Sequence, residues 1–208
     1  MDPKQFRAPY IGKDRIWQAA DELRAKFASG AQLPVNVLDM AEFDLGLEIV
    51  PADNLRERCD TEAILLGDLQ TILVDKRSFT NPKQEYRLRF SVAHELGHYV
   101  LHGDIYAGIR PPSAEAWFDF ISNIPDEQYS WIEWHAYEFA GRLLVPPDAL
   151  ATSLAGAMQV AESAGFKDWA KDPDMARDFL GGYMAKVFNV SGEVVSKRLR
   201  IEKLWPPS

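Results

Sequence analysis

The spacing of hydrophobic and polar positions predicts a chain that is helical at both ends, with a small sheet in between. Apolar residues recur at helical spacing in five segments, at 14–28, 34–43, 153–164, 174–188 and 191–203. Residues 47–50 predict a strand, and the apolar runs 63–66 and 71–74 flank Gly67-Asp68, a pattern typical of a β-hairpin. This order of elements predicts an α+β fold that is mostly helical.

A further helix is predicted over residues 82–102, and it is apolar on nearly every side, which indicates a buried helix. Asn81 fits the N-cap, Pro82 the first helical position, and Gln84 a capping box. Gly103 is a natural stop. Gly97 lies inside this helix, at a cost of about 1 kcal/mol relative to Ala. It predicts the close approach of another segment; a tolerated defect is the alternative.

This buried helix carries His94, Glu95 and His98 in an HExxH pattern, which holds two of the four histidines of the chain. Residues four apart on a helix lie about 6 Å apart along its axis, so both imidazoles can bind one metal ion. Zinc suits them because it binds neutral imidazole nitrogen. Glu95 is rotated by about 100° from His94, a placement that favours a general base over a ligand. The alternative is a set of core polar residues paired by hydrogen bonds.

A zinc site needs a third protein ligand, and the sequence offers three candidates. His102 lies too far along an unbroken helix, and Asp104 matches a longer metal-binding pattern that needs a glycine where Leu101 stands. Glu133 lies on another predicted helix, which ends at Pro146-Pro147. Because Ser130-x-x-Glu133 is also a capping box, spacing alone leaves the role of Glu133 open.

Three stretches, 89–102, 133–146 and 188–199, together resemble the ImmA/IrrE family of zinc metallopeptidases. The resemblance implies a zincin-like fold, one Zn²⁺ per chain held by His94, His98 and Glu133, as in gluzincins, and Glu95 as the catalytic base. Tyr137 stands where the family usually has Asn. Five further residues are candidates for stabilising the transition state or orienting a ligand: Tyr99, His102, Tyr106, His135 and Tyr137.

The resemblance implies a substrate that is a helix-turn-helix repressor or an antitoxin, whose cleavage regulates gene expression in mobile-element, stress or toxin–antitoxin systems. One rival hypothesis is a regulatory module that binds DNA or a repressor through the C-terminal helices. The last of these helices has Ser191 as a candidate N-cap and a basic face, for which an ordinary solvated helix is the alternative: Lys197, Arg198, Arg200 and Lys203. A second rival is a toxin that binds zinc without cleaving protein.

Composition and charge limit the partners and the cellular location that we expect for the protein. The net charge of −8 argues against a protein that coats nucleic acid, although a local basic patch is compatible with it. The single cysteine, Cys59, fits a reducing compartment, and neither a signal-peptide core nor a membrane-spanning run is present, so a cytoplasmic location is expected. We expect one compact unit, with a metallopeptidase core over 1–150 and a C-terminal helical subdomain over 151–208 packed on it.

For two segments near the predicted metal site, the sequence allows two interpretations each. The connection 103–129 contains Trp117, Phe118 and Phe120, and it either forms a wall or cover of the cleft or forms one or two short helices that pack these aromatic rings into the core. The strand at 71–75 is a hypothetical edge for pairing with a peptide substrate, unless both strands of the hairpin are internal.

Overall fold

The computed structural model describes residues 1–27, 32–59, 61–165 and 171–205. Three strands form one sheet: β1 Glu48–Ala52, β2 Ala63–Leu65 and β3 Thr71–Asp75. The helices of the described chain are α1 Lys13–Phe27, α2 Val37–Asp39, α3 Leu55–Cys59, α4 Lys76–Thr80, α5 Glu85–Ala107, α6 Ala114–Ser122, α7 Asp126–Leu144, α8 Pro147–Ser163, α9 Pro173–Phe188 and α10 Gly192–Ile201. A π-helical turn, Met40–Asp44, follows α2, and 3-10 turns lie at Pro3–Gln5 and Pro82–Gln84. The expected α+β, mostly helical fold is confirmed.

The sheet has the strand order β1-β3-β2, with β3 parallel to β1 and antiparallel to β2. Residues 63–65 pair with 72–74, so the predicted hairpin is confirmed. The proposed role of 71–75 as an edge for a peptide is wrong, because β3 is the central strand and both of its edges are already paired. Within the described chain, β2 is instead the edge strand on the side of helix α5.

Helices α5 and α7 pack against each other at the centre of the molecule, and Gly97 lies at their contact. A Cβ atom on Gly97 would lie 3.0 Å from the Cα of Ala136 and 3.2 Å from the Cβ of Phe139. These are backbone or near-backbone atoms, which cannot move without moving helix α7. The close approach expected at Gly97 is therefore present, and it sets the separation between the two helices that carry the candidate ligands.

A comparison of two glycines tests this packing. We expect Gly97→Ala to lower the free energy of unfolding by about 1–2 kcal/mol, since overpacking costs about 1–3 kcal/mol and exceeds the gain in helix propensity. Gly156→Ala is the matched control, because Gly156 lies inside α8 and a Cβ there meets nothing within 4 Å. It should raise the free energy of unfolding by about 0.5–1 kcal/mol. Urea denaturation measures both, and stabilisation by Gly97→Ala would contradict the tight contact.

The predicted start of the helix over 82–102, with Asn81 as N-cap and Pro82 at the first helical position, is confirmed by a 3-10 turn, whereas the predicted capping box and the predicted end at Gly103 are wrong. Helix α5 begins at Glu85 after a 3-10 turn capped by Asn81, and Gln84 accepts a hydrogen bond from the Ser78 hydroxyl. It also continues past Gly103 to Ala107, because the last turn buries Tyr106 against the core. The predicted helix 14–28 ends at Phe27 among the described residues, and position 28 lies outside them.

The connection 103–129 folds into the end of α5, helix α6 and the start of α7. The side chains of Trp117 and Phe120 are buried and their rings stack 6.0 Å apart, so the packing alternative is confirmed. Helix α7 begins at Asp126 rather than at Ser130. The capping-box reading of Glu133 is therefore wrong, because Ser130 and Glu133 both lie inside the helix.

The C-terminal helices contact the core through α10, which packs beside α7. The buried Arg198 guanidinium lies between two carboxylates, with Nη1 3.4 Å from Oε2 of Glu138 and Nη2 bonded to Glu202. Ser191 caps α10, as expected, by accepting a hydrogen bond from the Val194 N–H. The division into 1–150 and 151–208 stays a prediction, and residues 166–170 and 206–208 of the second part lie outside the described chain. Among the helices described, none is long and apolar enough to cross a membrane.

Candidate metal centre

Helices α5 and α7 bring three candidate ligands together. The Nε2 atoms of His94 and His98 are 3.1 Å apart, and they lie 3.2 Å from Oε2 and Oε1 of Glu133 respectively. The imidazoles come from adjacent turns of α5, as the HExxH spacing requires, and the carboxylate comes from the facing helix. The histidines are buried, and the Glu133 side chain keeps a quarter of its surface exposed.

The triangle formed by these three side chains fits a tetrahedral metal ion. Bonds of about 2.0–2.1 Å to zinc place neighbouring ligand atoms about 3.3 Å apart, close to the separations in this structure. The set is two imidazole nitrogens and one carboxylate oxygen, which is a common set for zinc with a fourth position left for a small molecule. Among the described residues, this is the group of His, Cys, Asp and Glu side chains whose atoms converge closely enough to hold a metal ion.

Electrostatics keep the third candidate ligand charged. Burial alone would raise the pKa of Glu133, but hydrogen bonds and charge interactions with His94 and His98 outweigh it and hold the pKa far below its usual value. The pKa of His98 is raised despite burial, because of the Glu133 hydrogen bond and the nearby Glu95 charge. Glu133 is therefore a carboxylate at neutral pH, which is the form that binds a metal.

Glu95 lies beside this triangle, and the edge strand holds it in place. Its Oε2 accepts a hydrogen bond of 2.7 Å from the Leu65 backbone N–H, while the Leu65 carbonyl accepts one of 2.8 Å from the Trp117 indole. Burial raises the pKa of Glu95, and the neighbouring histidines only partly offset it. A raised pKa suits a carboxylate that must take up and release a proton near neutral pH.

A row of hydrogen-bonded side chains lies behind His98. Its Nδ1 is 3.0 Å from Nδ1 of His102 and 3.2 Å from the Tyr106 hydroxyl, and Nε2 of His102 is 3.1 Å from Nδ1 of His135. Burial, followed by neighbouring charges, lowers the pKa of His102 to about 2, and burial lowers the pKa of His135 as well. These neutral rings fix the orientation of His98 and leave its Nε2 facing Glu133.

The remaining candidates lie in different places. The Tyr137 ring packs edge-on against the His94 ring, with centroids 4.6 Å apart, and keeps about half of its surface exposed. Tyr99 packs half-buried against the hydrophobic core and does not line the cavity at the site. Asp104 is exposed near the end of α5 and is not part of the converging group. Nδ1 of His94 is buried without a partner among the described residues.

Sequence reasoning missed two neighbours of the site. Tyr129 lies one helical turn before Glu133 and lines the cavity, and burial together with the charge of Glu133 raises its pKa. The i, i+4 spacing could have identified it, had helix α7 been extended back to Asp126. The Leu65 N–H that holds Glu95 comes from a strand 30 residues earlier, and no local pattern in the sequence marks that contact.

A cavity of about 470 Å³ opens over the three donor atoms. One wall is the edge strand at 63–65, and the opposite side is formed by helix α7 from Asp126 to Glu133. Apolar side chains of the 103–129 segment complete it: Trp117, Phe118, Ile121 and Ile124. The predicted role of this segment as a wall of the cleft is thus present together with its packing role.

An HExxH helix, a facing glutamate and a cleft beside an edge strand form the kind of site expected of a metallopeptidase. The sequence model of the IrrE N-terminal-like domain, a peptidase family designated M78, matches residues 79–200, more than half of the chain. The protein belongs to this family, which supports a metallopeptidase-type function. Comparison with curated proteins gives no match.

Proposed function

We propose that this protein is a zinc-dependent endopeptidase in which His94, His98 and Glu133 hold one Zn²⁺ and Glu95 is the general base. The observation that carries the proposal is the convergence of two imidazole nitrogens, 3.1 Å apart, on the Glu133 carboxylate, with each nitrogen 3.2 Å from one of its two oxygens, beside a buried carboxyl group of raised pKa. When bound, zinc supplies Lewis acidity that acidifies water and polarises the scissile carbonyl.

Proton transfer and the orientation of the ligands are carried out by side chains of the protein. Glu95, held at one oxygen by the Leu65 N–H, takes a proton from the attacking water and returns it to the leaving amine. The row His102–His135 and Tyr106 keep the His98 ring in the orientation that a ligand needs. Tyr137, whose ring packs edge-on against His94, helps to keep that imidazole in place.

For the substrate we propose a helix-turn-helix repressor or an antitoxin, as the family resemblance implies. A protein substrate agrees with membership of a peptidase family. A cytoplasmic location stays a prediction from the sequence. The structure weakens the rival hypothesis of DNA binding through α10, because Arg198 is buried in ion pairs with Glu138 and Glu202 and leaves only part of the basic face in solvent.

Metal analysis combined with a cleavage assay tests the proposal. The purified protein should contain about one zinc per chain and should cut a helix-turn-helix repressor encoded beside its own gene, with cleavage abolished by a chelator and restored by added zinc. Stoichiometric zinc without cleavage of any candidate would favour the toxin that binds metal but is not a protease. Salt-dependent binding of the full chain to duplex DNA, in the absence of cleavage, would favour the regulatory module.

A further inference from the structure

Helix α9 has a row of large apolar side chains on its outer face, far in sequence from the metal centre. Met175, Phe179, Tyr183 and Val187 are 61%, 67%, 56% and 42% exposed. They are four residues apart, so they form one ridge about 18 Å long on the helix surface. A different face of α9, about 100° around the helix, buries its own apolar set in the core: Ala176, Leu180, Met184 and Phe188. The outer ridge is therefore additional to what the fold requires, and exposed apolar patches of this size mark interaction surfaces.

A second row of residues spaced four apart runs beside the ridge, formed by Asp178, Gly182 and Lys186, and we name this row the groove because Gly182 at its centre has no side chain. All three are exposed, and a Cβ atom on Gly182 would meet nothing within 4 Å. Glycine inside a helix costs about 1 kcal/mol relative to alanine. Its lack of a side chain leaves the middle of the groove open to another helix.

We propose that α9 is a homodimer interface, in which the ridge of each copy packs into the groove of the other about a two-fold axis near Gly182. Rows of residues spaced four apart interlock with rows of the same kind in the commonest class of helix packing. A two-fold axis makes the contact self-complementary, so the same surface of both copies is used. The open position at Gly182 lets the two helix backbones approach closely at the crossing point.

Charge selects this antiparallel arrangement. Asp178 and Lys186 lie equally far on either side of Gly182, so the two-fold axis places Asp178 of one copy beside Lys186 of the second copy, twice per dimer. Lys186 would there add to the ion pair that Asp178 makes with Arg177 of its own chain. A parallel arrangement would instead place like charges together, which is unfavourable. The second copy therefore fits this surface in both shape and charge.

The area of the exposed ridge indicates how stable a dimer we expect. The four exposed side chains offer on the order of 400 Å² per copy, since aromatic side chains account for roughly 150–250 Å² each when fully buried. A standard interface buries about 800 Å² per partner. The ridge supplies about half of that, with the charged rows on either side adding to it, so we expect a weak and reversible dimer rather than a permanent one.

Sedimentation velocity of the full chain at concentrations from 1 to 200 µM tests the interface. We expect the wild type to shift from monomer to dimer over this range, and Phe179→Glu to raise the dissociation constant at least tenfold. Phe43→Glu is the matched control, because Phe43 is 79% exposed and lies in the π-helical turn far from α9 in sequence. A wild type that stays monomeric at 200 µM, or an equal effect of Phe43→Glu, would overturn the proposal.

A mixing experiment tests the orientation independently of folding. Asp178→Lys and Lys186→Asp should each weaken self-association about tenfold, because each places like charges together in its own dimer. An equimolar mixture of the two variants should restore a dimer of wild-type strength, since both cross-pairs are then opposite in charge. If the mixture associates no better than either variant alone, the antiparallel pairing is wrong. Circular dichroism of each variant confirms that the helices are retained.

Discussion

Replacing Glu95 by glutamine is expected to lower kcat/KM for peptide cleavage by about 10²- to 10⁴-fold, the range that a positioned general base contributes. The amide is nearly isosteric with the carboxylate, and its carbonyl oxygen can still accept the Leu65 N–H that now bonds to Glu95. The fold and the metal content should therefore be retained while the proton acceptor is lost. Steady-state kinetics together with metal analysis of the same sample separates these two effects.

Glu85→Gln is a suitable control for this experiment. Glu85 lies on the same helix, in its first turn, and its exposed carboxylate contacts Asn189 rather than the site. The same chemical change there should alter kcat/KM by less than about twofold. If both variants keep wild-type activity, Glu95 is not the base. The raised pKa of its carboxyl group would then reflect burial alone and not a role in catalysis.

The parts of the site that could be predicted from sequence are those determined within one helix. The relative position of His94, Glu95 and His98 follows from helical geometry alone, once the helix is recognised. Spacing alone leaves the role of Glu133 open, since the capping box and the metal site would use the same residue. Only packing between α5 and α7, tight at Gly97, places its carboxylate 3.2 Å from each imidazole.

Two of the wrong predictions, a helix end at Gly103 and an exposed edge at 71–75, also depend on tertiary contacts that the local sequence does not show. Gly103 is a reasonable stop by local propensity, but a glycine in a helix costs only about 1 kcal/mol. Burying Tyr106 against Trp117, with ring centroids 4.9 Å apart, stabilises the extra turn by more than that. Likewise, the central position of β3 depends on β1, which joins it in parallel from an earlier part of the chain.

Removal of one ligand is expected to abolish metal binding at micromolar metal concentration. His94→Ala should weaken zinc affinity by more than about 100-fold. Losing only a residue that hydrogen-bonds to a metal ligand already lowers metal affinity by about 10–100-fold. The wild type should gain about 2.7 kcal/mol of stability when zinc is present at 100 times its dissociation constant. His94→Ala should show no such gain, and thermal unfolding with and without zinc measures the difference.

Two further variants test which acidic residue is the third ligand, because the sequence has two acidic candidates, Glu133 and Asp104. Glu133→Gln should behave like His94→Ala, because the amide loses the charge that holds the ion between two helices. Asp104→Ala should keep the full zinc-dependent rise in melting temperature, because Asp104 is exposed near the end of α5 and outside the converging group. If Asp104→Ala lost the response to zinc and Glu133→Gln retained it, the ion would be bound elsewhere, and the triangle formed by α5 and α7 would be only a hydrogen-bonded cluster.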